Sequence, residues 1–223
     1  MFDVRHFWLF LDASGVNPRL GLWQNGRWLA WRESETPALE AMFVEPRALL
    51  DKANLSWGQL DGYIYVEGPG SVLGLRVAAM AIRAWQTDDA ARPSGKARPV
   101  WACGSLPLAA ALALAGGTSP PFAIFTEARQ GHWHLLEVSP TVARQAAFAG
   151  AREVGENELP DGPLFHLPAR KAWHKAPPHA RTISTSLRDH PEILAQPQLL
   201  HPVSTPTPFT GQPHEYKKWV GAT

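Results

Sequence analysis

The segment 66–76 contains the residue types of this chain that are best suited to holding a small anion. It reads Val-Glu-Gly-Pro-Gly-Ser-Val-Leu-Gly-Leu-Arg and joins a predicted strand to a predicted helix. Gly68 and Gly70 permit backbone torsions that side chains forbid, and Ser71 is placed to cap the helix by accepting a hydrogen bond from a free amide. Unpaired N–H groups at such a corner could cradle an anion. Glycine and serine also serve there for shape alone, and since no P-loop lysine is present, shape is the preferred interpretation.

A few other residues could carry chemistry, and each has a simpler interpretation. Asp12 and Ser14 follow the first predicted strand and are the candidates there for a phosphate or magnesium site. Cys103 is the only cysteine, so an internal disulfide is excluded and a small core residue is favoured over a catalytic thiol. His132 and His134 alternate on one strand, which is more typical of a solvated strand face than of a metal site. We therefore predict no metal centre.

The composition is that of a soluble globular protein without a strong electrostatic field. Of the 223 residues, 45% are apolar and 18% are charged, and the formal net charge is +1. This balance does not indicate a protein that grips nucleic acid directly, because neutralising phosphates requires clustered lysine and arginine. The apolar runs are too short to span a membrane, and the N-terminal run lacks a small-residue cleavage site, so we expect a cytoplasmic protein.

The elements that position these residues are clearest in the first 138 residues, and they predict a mixed α/β fold with two related halves. An Asn-Gly turn at 25–26 indicates a hairpin within a three-stranded meander. Pro46 interrupts the first helical pattern and predicts a bend or a break there. Beyond residue 139 prolines crowd the chain and the pattern weakens. The predicted strands are 7–12, 19–23, 27–31, 61–66, 99–102, 122–126 and 132–138, and the predicted helices are 37–53, 72–85, 105–115 and, less regularly, 191–194.

Gly68-Pro69-Gly70-Ser71-x-x-Gly74-Leu75-Arg76 resembles the Gly-Pro-Gly-Ser-Phe-Thr-Gly-Leu-Arg signature of the bacterial TsaB (YeaZ) family. The surrounding order is similar too: the first strand ending in an acid, the Asn-Gly meander, the helix start at 104–109 and the Glu-Ala-Arg-Gln-Gly turn at 127–131. The likeness covers residues 7–138 and fades beyond them.

Departures from the family pattern mark a divergent member. Val72-Leu73 replaces Phe-Thr in the signature, Glu127 replaces an aspartate, and Ala13 replaces the threonine of the first-strand Asp-Thr-Ser loop. The helix after the meander usually opens with a histidine, and Ser-Glu-Thr stands at 34–36 instead. These changes remove polar groups from the region where a related ATPase holds nucleotide.

The resemblance implies the actin-like ATPase (ASKHA, ribonuclease H-like) fold, with two lobes of mixed β-sheet and flanking helices. We accordingly predict an N-terminal lobe at 1–103 and a divergent, proline-rich C-terminal lobe at 104–223. Any vestigial nucleotide or anion site would use Asp12, Ser14, Gly68, Gly70 and Ser71; no cofactor is assigned, and weak binding of ATP or ADP stays open.

The resemblance also implies a non-catalytic role: a scaffold for the TsaD-type transferase that threonylcarbamoylates tRNA adenosine 37. A TsaE-type ATPase and a second copy of the chain are further candidate partners, with tRNA involved only indirectly and no membrane. We predict that the partner interface lies on the first two helices. Its predicted residues on the second helix are Val77, Met80, Ala81, Ala84 and Trp85.

Three alternatives stay open at this point. A sugar or small-metabolite kinase of the same fold would need a second acid for magnesium and a late glycine-rich adenosine motif, which is absent. A peptidase is suggested by the glycoprotease (M22) label that relatives carry, but Ser71 has no local His–acid relay. A stand-alone binding module is the third.

Overall fold

The computed structural model describes residues 2–91, 95–146, 148, 150–168, 175–196 and 198–209. It contains two mixed β-sheets with helices packed around and between them. In chain order the elements are β1 (Trp8–Asp12), β2 (Arg19–Gln24), β3 (Arg27–Glu33), α1 (Ala38–Ala53), β4 (Gly62–Gly68), α2 (Val72–Ala90), β5 (Val100–Gly104), α3 (Ser105–Ala115), β6 (Phe122–Glu127), β7 (His132–Val138), α4 (Pro140–Gln145), β8 (Arg152–Gly155), β9 (Leu164–His166), β10 (Arg181–Thr182) and β11 (His201–Val203), with 3-10 turns at Trp57–Gln59, Glu156–Glu158 and Pro191–Ala195.

The first sheet has the strand order β11-β5-β4-β1-β2-β3. β1, β2 and β3 form the predicted antiparallel meander, β4 pairs parallel with β1, and β5 pairs parallel with β4. Asn25 and Gly26 both have positive φ, 51° and 76°, which is the geometry that the Asn-Gly turn favours. The meander prediction is confirmed.

Helices α1 and α2 pack together on one face of the first sheet and cover its larger core. Each helix has an apolar face whose residues recur every three or four positions, with Met42 and Leu49 of α1 and Ala78 and Ile82 of α2 fully buried. Pro46 lies within α1, yet the helix is continuous from Ala38 to Ala53, so the break predicted there is not found. Helix α2 extends five residues beyond its predicted end.

Helix α3 lies between the two sheets. Leu108, Ala111 and Leu112 pack in the core of the first sheet, whereas Leu106 and Ala109 pack in the core of the second. This explains why the predicted helix 105–115 is apolar on every side: a helix buried all round needs no polar face. The two halves of the protein therefore share this helix.

The second sheet repeats the core topology of the first. Its order is β10-β9-β6-β7-β8, which matches β5-β4-β1-β2-β3 position for position, including the two antiparallel and the two parallel pairings. The predicted pair of related halves is confirmed. The second half is reduced, because the fully described connection from β8 to β9 holds only a 3-10 turn where the first half has α1.

The proline-rich final third contributes to both sheets. β9 and β10 lie in the second sheet, but β11 pairs antiparallel with β5 at the edge of the first. Residues 201–203 therefore lie in the first sheet, although the predicted boundary between residues 103 and 104 assigned them to the second lobe. The boundary itself stays a prediction. None of the described helices is long and apolar enough to cross a membrane.

Candidate functional site

The glycine-rich corner packs directly on the loop that follows β1. The Ser71 amide donates to the Ser14 carbonyl oxygen at 2.8 Å, and a Cβ at Gly70 would lie 2.7 Å from that same oxygen. A Cβ at Gly74 would overlap the backbone of Ala13. The glycines are thus required for close approach of two backbones, and the Ser71 hydroxyl accepts from the Gly74 amide at 3.3 Å as the predicted helix cap.

Gly68 is the residue of this corner whose backbone itself requires glycine. Its φ is +116°, a conformation that L side chains rarely adopt, and a Cβ there would also lie 2.7 Å from Leu75. The Ser105 hydroxyl donates to the Pro69 carbonyl at 2.6 Å, which joins the corner to the start of α3.

Asp12 is buried beneath this corner, and its carboxylate is fully engaged by protein groups. One oxygen accepts from the amide and the hydroxyl of Ser14, at 2.9 and 2.6 Å. The other lies 3.4 Å from the guanidinium of Arg19, which also reaches Glu33 at 3.2 Å and donates to the Thr185 hydroxyl at 2.6 Å. Arg19 was not among the residues predicted from the sequence, where it reads only as the start of a strand.

A pocket of about 170 Å³ opens beside this network, between the two sheets. Of the five residues predicted for a vestigial nucleotide site, only Ser14 lines it, whereas Asp12, Gly68, Gly70 and Ser71 support the corner behind it. Its polar lining is contributed by both halves and includes Ser14, Arg19, Glu33, Thr126 and Thr185. The structure thus brings the five predicted residues to one corner, and their binding of a nucleotide or anion stays a prediction.

The charge of Arg19 is already compensated. This one cation is shared by the carboxylates of Asp12 and Glu33, so a phosphate entering the pocket would compete with two fixed anions. Among the described residues that line the pocket, Arg19 is the only cation. This electrostatic arrangement does not favour a polyphosphate.

The C-terminal segment crosses the same corner. The Tyr65 hydroxyl donates to the Thr207 carbonyl at 3.0 Å and accepts from the Thr207 amide at 3.2 Å. Burial raises the pKa of Tyr65 to about 12, so the hydroxyl keeps its proton at neutral pH. The Phe209 amide then donates to the Glu67 carbonyl, and the Phe209 ring contacts the ring of His134 in the second sheet, with centroids 5.3 Å apart.

The predicted interface on α2 is only partly at the surface. Met80 and Ala84 are exposed and Val77 is half-buried. Ala81 is 1% exposed, however, and the Trp85 ring packs on Trp57 with centroids 5.1 Å apart. Ala81 and Trp85 thus pack toward the core of the first sheet, because alanine occurs on both sides of α2 and does not distinguish them, and the interface itself stays a prediction.

The remaining candidate side chains are Cys103, His132 and His134, and their contacts indicate structural roles. Burial raises the pKa of the Cys103 thiol above its usual range, as expected for a core residue. The His132 ring contacts the Gln130 carbonyl, and His134 packs on Phe209. No group of three or more potential metal ligands occurs within the described ranges.

The topology and the cleft between two sheets define an actin-like ATPase fold, which is the fold that the resemblance implied. The chain is similar to a Pseudomonas aeruginosa protein described as uncharacterized with similarity to peptidase YEAZ, with a TM-score of 0.56 and 18% identity over 73% of this chain and 75% of that one. YeaZ from Pseudomonas aeruginosa gives a TM-score of 0.54 and 20% identity over the same shares. No protein-family model and no curated protein matches the sequence.

Proposed function

We propose that this protein is a non-catalytic scaffold subunit that supports a TsaD-type transferase in threonylcarbamoylation of tRNA adenosine 37. The proposal rests on the Gly-Pro-Gly-Ser signature at 68–71, on the similarity in fold to YeaZ, and above all on an exposed apolar surface formed by α1 and α2. The scaffold acts by docking through these helices, so that the partner supplies the reactive groups.

The α1–α2 apolar surface carries the proposal. Six of the nine large apolar side chains that are exposed in the described part of the chain lie on these two helices. A soluble monomer rarely clusters such side chains, and a clustered apolar patch marks an interaction site. Its members are Leu39, Phe43 and Val44 on α1 and Val72, Leu73 and Met80 on α2.

The spacing on α2 suits a helix–helix contact. Leu73, Val77, Met80 and Ala84 follow one another at intervals of four, three and four residues, so they form one stripe along the outer side of the helix. On α1, Leu39 and Phe43 are one turn apart and also lie side by side. Two neighbouring helices with such stripes present ridges and grooves to a matching helix pair.

The compensated charge of the cleft supports a scaffold over a kinase. Phosphoryl transfer depends on cations that neutralise the phosphates, and here Arg19 is held by Asp12 and Glu33. A peptidase would need the Ser71 hydroxyl as a nucleophile. Here that hydroxyl accepts a hydrogen bond from the Gly74 amide and caps the helix.

Size-exclusion chromatography of this chain with the TsaD-type protein of the same genome, at micromolar concentration, tests the proposal. We expect co-elution for the wild type and at least tenfold weaker association for Met80→Glu and Leu73→Glu, because each places a charge in an apolar contact. Both residues are exposed, so neither change disturbs the core. Val4→Glu is the matched control, since Val4 is an exposed apolar residue outside the two helices.

The functional readout is the amount of threonylcarbamoyladenosine formed in a reconstituted reaction, measured by mass spectrometry of digested tRNA. It should fall with Met80→Glu in step with the loss of co-elution and stay unchanged with Val4→Glu. Separate elution of the two wild-type proteins, with and without nucleotide and the other pathway proteins, would refute the proposal.

A further inference from the structure

Strand β3 ends the first sheet, and half of its backbone hydrogen-bonding groups face away from β2. The Ser34 amide donates to the Pro18 carbonyl at 2.8 Å, which identifies the adjoining Arg19–Glu33 pair as a non-hydrogen-bonded pair. Two residues along, Gly21–Trp31 is then a pair of the same kind. The backbone N–H and C=O groups of Trp31 and Glu33 therefore point outward from the sheet.

A groove runs along this outward edge. It has a volume of about 480 Å³, and six consecutive residues of β3, from 28 to 33, line it. Since neighbouring residues of a strand point to opposite faces, a groove that contacts all six lies beside the strand and not on one face of the sheet. Its remaining walls are Lys52, in the last turn of α1, and Arg188, in the turn that follows Leu187.

The groove is basic. Its lining contains three cations, Arg32, Lys52 and Arg188, and one carboxylate, Glu33, which gives a formal charge of +2. Arg32 pairs with Glu45 at 2.8 Å, and Glu33 pairs with Arg19. Among the described residues Lys52 and Arg188 make no ion pair, so their charges face the groove uncompensated by a partner.

We propose that the outer edge of β3 binds an extended, acidic segment of a partner protein, which adds to the first sheet as a seventh strand. The backbone groups of Trp31 and Glu33 supply main-chain hydrogen bonds, and Lys52 and Arg188 select carboxylate side chains on the two faces of the added strand. A second copy of this chain is disfavoured as the occupant, because pairing β3 with β3 would bring two basic grooves together.

This surface is separate from the α1–α2 apolar surface, and the proposal does not depend on a TsaD-type partner. The Lys52→Glu and Arg188→Glu changes leave Leu73 and Met80 untouched, so loss of one interaction is distinguishable from loss of the other.

The test is a selection from a display library of random decapeptides, in which both acidic and neutral peptides can be enriched. The enriched peptides are then synthesised. We expect enriched peptides that alternate acidic with β-branched or aromatic residues and that bind about tenfold more weakly to the Lys52→Glu/Arg188→Glu double variant. Lys96→Glu is the matched control, since Lys96 is an exposed lysine away from the groove.

Residue-resolved amide exchange then locates the bound peptide. The amides of Trp31 and Glu33 should exchange rapidly in the free protein and become protected with peptide, whereas those of Ala30 and Arg32, already bonded to β2, should be slow in both states. Protection with this two-residue period supports strand addition. The proposal is overturned if no peptide is enriched, if enriched peptides leave Trp31 and Glu33 unprotected, or if the protein self-associates with these amides protected.

Discussion

Replacing Gly74 by alanine separates helix propensity from backbone packing at the signature corner. Gly74 is the third residue of α2, and in an isolated helix alanine there would raise stability by up to about 1 kcal/mol. In the folded protein the added Cβ would overlap the carbonyl oxygen of Ala13 and would lie 3.3 Å from the Ala13 Cβ. The loop after β1 would have to move away from the helix.

The magnitude follows from the balance of these two effects. An inserted methyl group that forces backbone shifts in a packed region costs about 1–3 kcal/mol. The gain in helix propensity offsets part of this, so we expect the free energy of unfolding to fall by about 1–2 kcal/mol. For a chain of this size, that corresponds to a decrease in Tm of about 2–8 °C.

Urea and thermal unfolding followed by circular dichroism measure the change. Gly15→Ala is the matched control: it lies in the same corner, and an added Cβ there would meet nothing within 4 Å, so its effect should stay within about 0.5 kcal/mol. If Gly74→Ala were as stable as the wild type or more stable, the close approach of the two backbones would not be what requires glycine here.

Two further predictions concern the buried side chains of Tyr65 and Cys103. Tyr65→Phe removes both hydrogen bonds to Thr207, so the Thr207 amide should exchange about fivefold faster, as expected for a loss of about 1 kcal/mol. Tyr63→Phe is the control and should leave the exchange rate of that amide unchanged. Equal rates in Tyr65→Phe and wild type would contradict the assigned contact. Cys103 should resist iodoacetamide at pH 8 in the folded protein and react fully in urea, because in the folded protein the thiol is buried and its raised pKa keeps it protonated. Labelling is measured by mass spectrometry, and rapid labelling of the native protein would refute this prediction.

The first half of the fold was predictable from local signals. The Asn-Gly pair at 25–26 permits positive φ at both turn positions, and the glycines and serine of 68–71 indicate a strand-to-helix corner whatever surrounds them. The apolar residues of α1 recur at helical spacing, and their packing on the sheet stabilises the helix by more than Pro46 costs locally.

The second half was not predictable in the same way. β9, β10 and β11 are two or three residues long and are strands only because a longer neighbour offers its edge. β11 contains Pro202 and pairs with β5 across nearly a hundred residues of intervening sequence. A proline is tolerated there because β11 lies at the edge of the sheet, and no local pattern announces such a strand.

The sequence by itself determined the corner, the meander and the helix that serves both cores, since each depends on the torsions and the apolar pattern of adjacent residues. Only the tertiary structure decided which residues share the cleft. Arg19 meets Asp12 and Glu33 because the register of the meander places it opposite both on the neighbouring strands, and it meets Thr185 because the chain beyond β10 returns to this sheet; these contacts compensate a charge that the sequence leaves open. It also decided which side of α2 is exposed, because an alanine-rich helix can be packed in more than one rotation until its neighbours are in place.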